Sequence, residues 1–156
     1  LLVPAGVVGS PLSSHLRMGW PMTRYLLAPS PKTLRPFLDR LLTTPDEEWT
    51  GYLGEAFLTF NLRTMKVPTL ARPGELARFR APTFVVGADG DLSFPGEPLI
   101  RRARKIFPNL VDTELLRGSK HSPPTTPEFR TWMAERLTRF ILEWERNAPG
   151  SSSPTP

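Results

Sequence analysis

Cysteine is absent from this 156-residue chain, which excludes disulfides, thiolate metal sites and a cysteine nucleophile. Any chemistry must come from oxygen and nitrogen groups. No apolar run is long enough to span a bilayer. The opening Leu1-Leu2-Val3-Pro4-Ala5-Gly6-Val7-Val8-Gly9 is apolar, but it contains Pro and Gly and lacks a basic leading region, so it reads as neither a signal peptide nor a membrane span. A dense basic block is missing too: 20 basic and 15 acidic residues give a net charge of +5, spread along the chain, and this does not point to nucleic acid. No internal repeat is found. The expectation is a cytoplasmic protein with no membrane or nucleic-acid partner; oligomeric state is not readable.

What is present is ordinary for a globular protein: 39% hydrophobic and 22% charged residues, enough for one domain or part of one. Nineteen prolines exceed the usual share of about 5%, and many stand where helices start or turns end. Leu1 to Gly9 reads as the end of a core strand running into a loop. A chain that opens inside a strand, without an initiating Met, is expected to be a fragment. Ser10 to Ser14 looks turn-like, and Leu16 to Leu27 loosely helical. Ser30 and Pro31 signal a helix start, with Leu34, Phe37, Leu38, Leu41 and Leu42 at helical spacing. Thr44-Pro45-Asp46-Glu47 matches a capping box, predicting a third helix to Leu62 or Met65. Lys66 to Arg80 is a connector with a short helix expected at Pro73 to Phe79. A last helix starts at Thr126-Pro127-Glu128, and its Phe129, Trp132, Met133, Leu137, Phe140, Ile141 and Trp144 repeat as a core face. From Asn147 onward the composition predicts a disordered tail.

The informative pair is Asp91 and His121. Pro82 to Gly87 reads as a buried strand, Leu99 to Phe107 as a helix and Leu110 to Leu116 as a second strand. Such a crossover makes the strands parallel and brings Asp91 and His121 to the same carboxyl edge, where open α/β folds place their sites. A carboxylate beside an imidazole can serve a charge relay, the acid holding the ring that moves the nucleophile's proton. Taken singly, Asp91 also reads as a turn residue and His121 as a solvated loop residue. Asp89 competes for the acid role. His15, in the loop before the helical segment, has no visible partner and reads as a surface or packing residue. Asp89, Asp91 and Ser93 mimic the start of a calcium loop, but Phe94 and Ile100 stand where its glycine and glutamate belong; no metal and no cofactor are expected. Arg101, Arg102, Arg104 and Lys105 read as a solvated helix face.

These residues carry a resemblance. Ala81 to Pro95, with its acid at Asp91, resembles the acid-bearing strand and loop of α/β-hydrolase fold enzymes. Glu114-Leu115-Leu116-Arg117-Gly118-Ser119-Lys120-His121 resembles their final strand and histidine loop, and Leu2-Val3-Pro4-Ala5-Gly6 the strand after their nucleophile helix. The resemblance implies an α/β class with parallel strands and flanking helices, the C-terminal part of that fold. It divides the chain into the end of a core strand and a loop (1–19), a helical lid (20–65), the C-terminal part of the core (66–146) and a tail (147–156). It implies Asp91 and His121 as acid and base of a Ser-Asp-His triad. The family's G-x-S-x-G turn and oxyanion loop come earlier in the chain order and are absent here. Ser10 and Ser119 each follow a glycine but lack the strand-to-helix context, so neither is assigned as nucleophile. The expected parent is a hydrolase acting on an ester or similar bond of a small molecule with an apolar group; the chain alone is expected to be inactive. Trp20, Met22, Trp49, Tyr52, Phe57 and Phe60 would either line the substrate site or pack the lid helices together. The alternative is a truncated, non-catalytic remnant acting as a binding or interaction module.

Overall fold

A stretch without charge from Pro82 to Ala88 suits a strand covered on both faces. In the computed structural model, which describes residues 1–60 and 68–147, Thr83–Ala88 is strand β1, buried at every position. Helix α4 (Gly96–Ile106) follows, then strand β2 (Leu110–Leu116). The two strands pair in parallel, Thr83 with Leu110 and then Phe84 with Asp112 through to Ala88 with Leu116, as the crossover requires. Leu1–Val3 lies along the other side of β1. It makes a single parallel bridge, Leu2 to Val86, with the Val3 N–H donating to Val86 O at 2.9 Å and the Val86 N–H to Leu1 O at 2.8 Å. The expected core strand is thus reduced to three residues, and the chain turns out of extended geometry at Val3 (φ 41°) and Gly6 (φ 80°).

Helix α4 is amphipathic by spacing. Leu99, Ile100, Ala103 and Ile106 are buried and join Val7, Val85 and Phe107 in one core, while Arg101, Arg104 and Lys105 are exposed. Arg102 departs from the expected solvated face: it is half-buried and its Nη2 donates to Ala71 O at 2.8 Å. Glu97 in the first turn and Arg104 and Lys105 in the last complement the helix dipole. Leu99 is fully buried, so Leu99→Ala is expected to lower stability by about 2–5 kcal/mol. Urea unfolding would measure this, and a loss under about 1 kcal/mol would contradict the packing described.

Three helices precede this unit: α1 (Leu12–Leu27), α2 (Pro31–Leu41) and α3 (Glu47–Thr59). Helix α1 begins directly after Pro11 and overrides the turn-like reading of Ser10 to Ser14; it also crosses the boundary expected at residue 20. Its internal Pro21 has no N–H for the carbonyl of Arg17, one turn back, and the Arg40 guanidinium of α2 donates to that carbonyl. Helix α2 starts as expected, in a reciprocal box: the Thr33 N–H donates to Ser30 Oγ at 3.3 Å and the Ser30 N–H to Thr33 Oγ1 at 3.1 Å. Helix α3 begins at Glu47, and Asp46 caps it through the Trp49 N–H on Asp46 Oδ1 at 3.2 Å. Its expected end at Leu62 or Met65 lies outside the described residues. Tyr25, Leu34, Phe37 and Leu38 form the helical core, with Met22 and Phe57 packed against them and Phe37 and Phe57 edge to face at 4.9 Å. Trp20, Trp49, Tyr52 and Phe60 are exposed, so packing of these helices against one another accounts for only part of the aromatic set.

The connector holds no helix over Pro73 to Phe79. Its residues make successive four-residue turns, such as the Glu75 N–H on Arg72 O and the Phe79 N–H on Leu76 O.

The chain divides into two compact units, Leu1–Pro123 and Pro124–Pro156. The second contains α5 (Pro127–Asn147), whose start is marked by the Phe129 N–H on Thr126 Oγ1 at 3.3 Å. The Glu128 carboxyl is held below the usual range by its own backbone N–H and by the Thr126 side chain. Helix α5 matches its expected span, and within this unit taken by itself none of its residues is buried. The expected tail beyond Asn147 lies outside the described residues. No helix among the described residues is long and apolar enough to cross a membrane.

Candidate active site

Strand β1 ends at Ala88, and the chain folds back at once, the Asp91 N–H donating to Ala88 O at 3.3 Å. The end of β1 meets the start of α4 backbone to backbone: a Cβ on Gly96 would lie 2.7 Å from Ala88 O, and one on Gly87 2.9 Å from Gly96 Cα. The loop between them therefore has little freedom. Asp91 is only 2% exposed. Its Oδ1 accepts the Ser93 N–H at 2.7 Å and the Phe94 N–H at 3.1 Å, an Asx turn that fixes the carboxylate plane. Its Oδ2 is left to face His121.

His121 arrives from the carboxyl end of the neighbouring strand. After β2, the Asp89 N–H donates to Leu116 O at 3.2 Å, and the Gly118 N–H to Asp89 Oδ1 at 2.8 Å, with Gly118 at φ 69°. The Gly90 N–H donates to Ser119 O at 2.9 Å. The acid loop and the histidine loop are thus stitched together backbone to backbone, and His121 Nδ1 lies 3.0 Å from Asp91 Oδ2. A carboxylate can only accept, so this contact requires a proton on Nδ1, and in the neutral imidazole it leaves Nε2 with the lone pair. The His121 side chain keeps 36% of its exposure while that of Asp91 has none, and the Phe94 ring leans on the imidazole at 5.6 Å between centroids.

Asp91 and His121 therefore meet, as the crossover topology implied. Asp89 does not contact the imidazole as its acid; it is exposed and caps the turn that carries His121. Because Asp89 and Asp91 both spend oxygens on protein N–H groups, the fragmentary calcium-loop pattern has another structural use. His15 is exposed and sits within α1, not in a loop. Ser10 Oγ donates to Ser93 O at 2.6 Å, and Ser119 is buried. Phe94 was missed from sequence, although an Asp two residues before a Ser is a recognisable Asx-turn signal.

No family model matches the sequence, and no curated protein is significantly similar to it. Solved structures do match. A naproxen esterase (carboxylesterase NP) from Bacillus subtilis aligns with a TM-score of 0.65 at 14% identity, over 90% of this chain and 49% of that one. A membrane phospholipase A, described as a bacterial virulence factor, aligns at 0.63 and 21% identity over 95% and 49%. A meta-cleavage product hydrolase from Pseudomonas fluorescens IP01 aligns at 0.56 and 15% over 96% and 55%. The chain spans about half the length of these structures. At these identities the likeness is one of fold, and it agrees with the parallel crossover and its flanking helices: this chain has the fold of the C-terminal portion of an α/β-hydrolase.

Proposed function

We propose that this chain supplies the acid and base of a serine hydrolase that cleaves a carboxylic ester or a similar bond, with the nucleophile and oxyanion donors contributed by sequence preceding Leu1. The 3.0 Å contact between His121 Nδ1 and Asp91 Oδ2 at the carboxyl edge of the sheet carries this reading. His121 Nε2 takes the proton of the serine hydroxyl as its oxygen attacks the carbonyl carbon. It returns that proton to the leaving alcohol as the acyl-enzyme forms. In the second half-reaction it deprotonates water, whose oxygen attacks the acyl carbon, and it passes that proton to the departing serine oxygen as the acid is released. Asp91 holds the ring tautomer and stabilises the imidazolium in each half. Helices α1 to α3 serve as a lid. The exposed Trp20, Trp49, Tyr52 and Phe60 offer the apolar surface that an acyl or alcohol group would need. The esterase names among the structural neighbours support ester cleavage over other bonds hosted by this fold.

A second reading is favoured by a different observation. Leu1, Leu2, Leu12, Leu16 and Trp20 are 50 to 78% exposed, large apolar side chains that a non-catalytic interaction module would present to a partner. The two readings part on one experiment. A fluorophosphonate probe, which phosphonylates activated serines, is applied to this chain and to a version extended by its upstream in-frame coding sequence. The hydrolase reading expects labelling of a serine before Leu1, lost in His121→Ala, and none on this chain alone. An extended form left unlabelled, or labelled equally without His121, would overturn it in favour of the interaction module.

A further inference from the structure

We infer that Thr43, in the loop between α2 and α3, is a positioning residue for His121. The inference rests on the hydrolase reading for its functional meaning, but not for its geometry. The His121 ring is held directly by Asp91 and leaned on by Phe94; everything else about its position depends on the backbone of Lys120 and Ser122. Both of those residues are tied to Leu41–Thr43. The Lys120 N–H donates to Thr43 Oγ1 at 2.7 Å, and Thr43 Oγ1 donates to Ser122 O at 2.6 Å. The Ser122 N–H donates to Leu41 O at 2.9 Å and the Thr43 N–H to Ser122 O at 3.1 Å, giving a parallel bridge between Leu42 and Ser122. Lys120 Nζ adds a bond to Asp39 O, a carbonyl in the last turn of α2, where acceptors lack helical partners.

A hydroxyl has one proton and spare lone pairs, and Thr43 uses both: it accepts on one side of His121 and donates on the other. The catalytic histidine is thereby bracketed by one side chain of the helical region, 77 residues away from Lys120 in sequence. Valine has nearly the same shape but neither function, so Thr43→Val strands the Lys120 N–H and leaves the Ser122 carbonyl with only the Thr43 backbone N–H, with little change in packing. Serine retains both functions. The consequence is that the helical lid and the catalytic base form one mechanical unit: a shift of the α2–α3 loop is passed to the imidazole through this hydroxyl.

Long-range ¹H–¹⁵N spectra of the imidazoles test this in the intact polypeptide, whose two histidines make His15 an internal control. In the parent protein His121 is expected in the Nδ1–H tautomer with that proton protected from water. Thr43→Val should speed its exchange by about tenfold or more and mix the tautomers, with His15 unmoved, and Thr43→Ser should restore the parent signal. A folded Thr43→Val protein with an unchanged His121 signal would overturn the inference. Should that variant fail to fold, amide exchange in the parent protein decides: fast exchange of the Lys120 N–H means that the bond to Thr43 is not maintained, and overturns it equally. These signals need no turnover. Failure of the hydrolase reading would appear as probe labelling indifferent to His121, whereas failure of this inference would appear as spectra indifferent to Thr43.

Discussion

Asp91→Asn is expected to lower kcat by about 10⁴-fold in a form of the protein that carries the nucleophile. The size of the effect follows from where the amide must place its two ends. Asp91 Oδ1 accepts the Ser93 and Phe94 N–H groups, and only the carbonyl oxygen of an asparagine can do the same. The NH₂ is then forced into the Oδ2 position, 3.0 Å from His121 Nδ1. A donor facing Nδ1 selects the opposite tautomer, with the proton on Nε2, and such a ring cannot accept the proton of a hydroxyl. Shape and packing are retained while the chemistry is reversed. Steady-state ester hydrolysis gives the ratio, and imidazole ¹⁵N shifts report the tautomer directly. An Asp91→Asn enzyme within tenfold of its parent would mean that Asp91 is not the orienting acid.

Gly90→Ala is expected to separate Asp91 from His121. A Cβ at this position would lie 2.8 Å from the carbonyl oxygen of Ser119 and 3.5 Å from its carbon. The obstruction is backbone and cannot rotate away. The same glycine donates its N–H to that oxygen at 2.9 Å, so the added methyl group strains the contact that stitches the acid loop to the histidine loop. Overpacking of this kind costs about 1–3 kcal/mol, and a displacement near 1 Å at a reacting group lowers turnover by roughly 10²-fold. Gly51→Ala is the matched control. Gly51 is exposed within α3, and nothing stands within 4 Å of an added Cβ, so better helix propensity should make the change neutral or stabilising by up to about 1 kcal/mol. Thermal unfolding and kcat measured on both variants separate the effects. A Gly90→Ala protein as stable and active as the Gly51→Ala one would show that the two loops are not held as described.

The parts legible from sequence share a physical cause: their signals are local or follow from chain topology. The uncharged run at β1 and the three-and-four spacing of Leu99, Ile100, Ala103 and Ile106 identify their elements because burial on two faces or on one stripe leaves a periodic trace. The meeting of Asp91 and His121 was accessible because a strand, helix, strand crossover has essentially one handedness and brings both strand ends to one edge. The start of α1 was not accessible. Ser13 and Ser14 are weak helix formers, yet the first turn closes there, with the Ser14 and His15 N–H groups on Pro11 O and Ser14 buried, a tertiary contact that no local pattern records. The apolar repeat of α5 predicted its helix, and a period of that kind specifies a face and not what covers it. The turns over 73–79 likewise carry a pattern compatible with a helix.

By itself, then, the sequence determined the α/β class, the order of the central elements, the absence of thiol chemistry and the sheet edge to which His121 and the Asp89–Asp91 loop both come. Only the tertiary structure decided which carboxylate touches the imidazole and which caps the turn, because Asp89 and Asp91 are two residues apart and differ only in the N–H groups the fold presents to them. It alone decided that Gly90 must be bare and that Thr43 brackets the histidine. Those contacts join segments far apart in the chain, and a long-range contact leaves no mark on the local pattern of either partner.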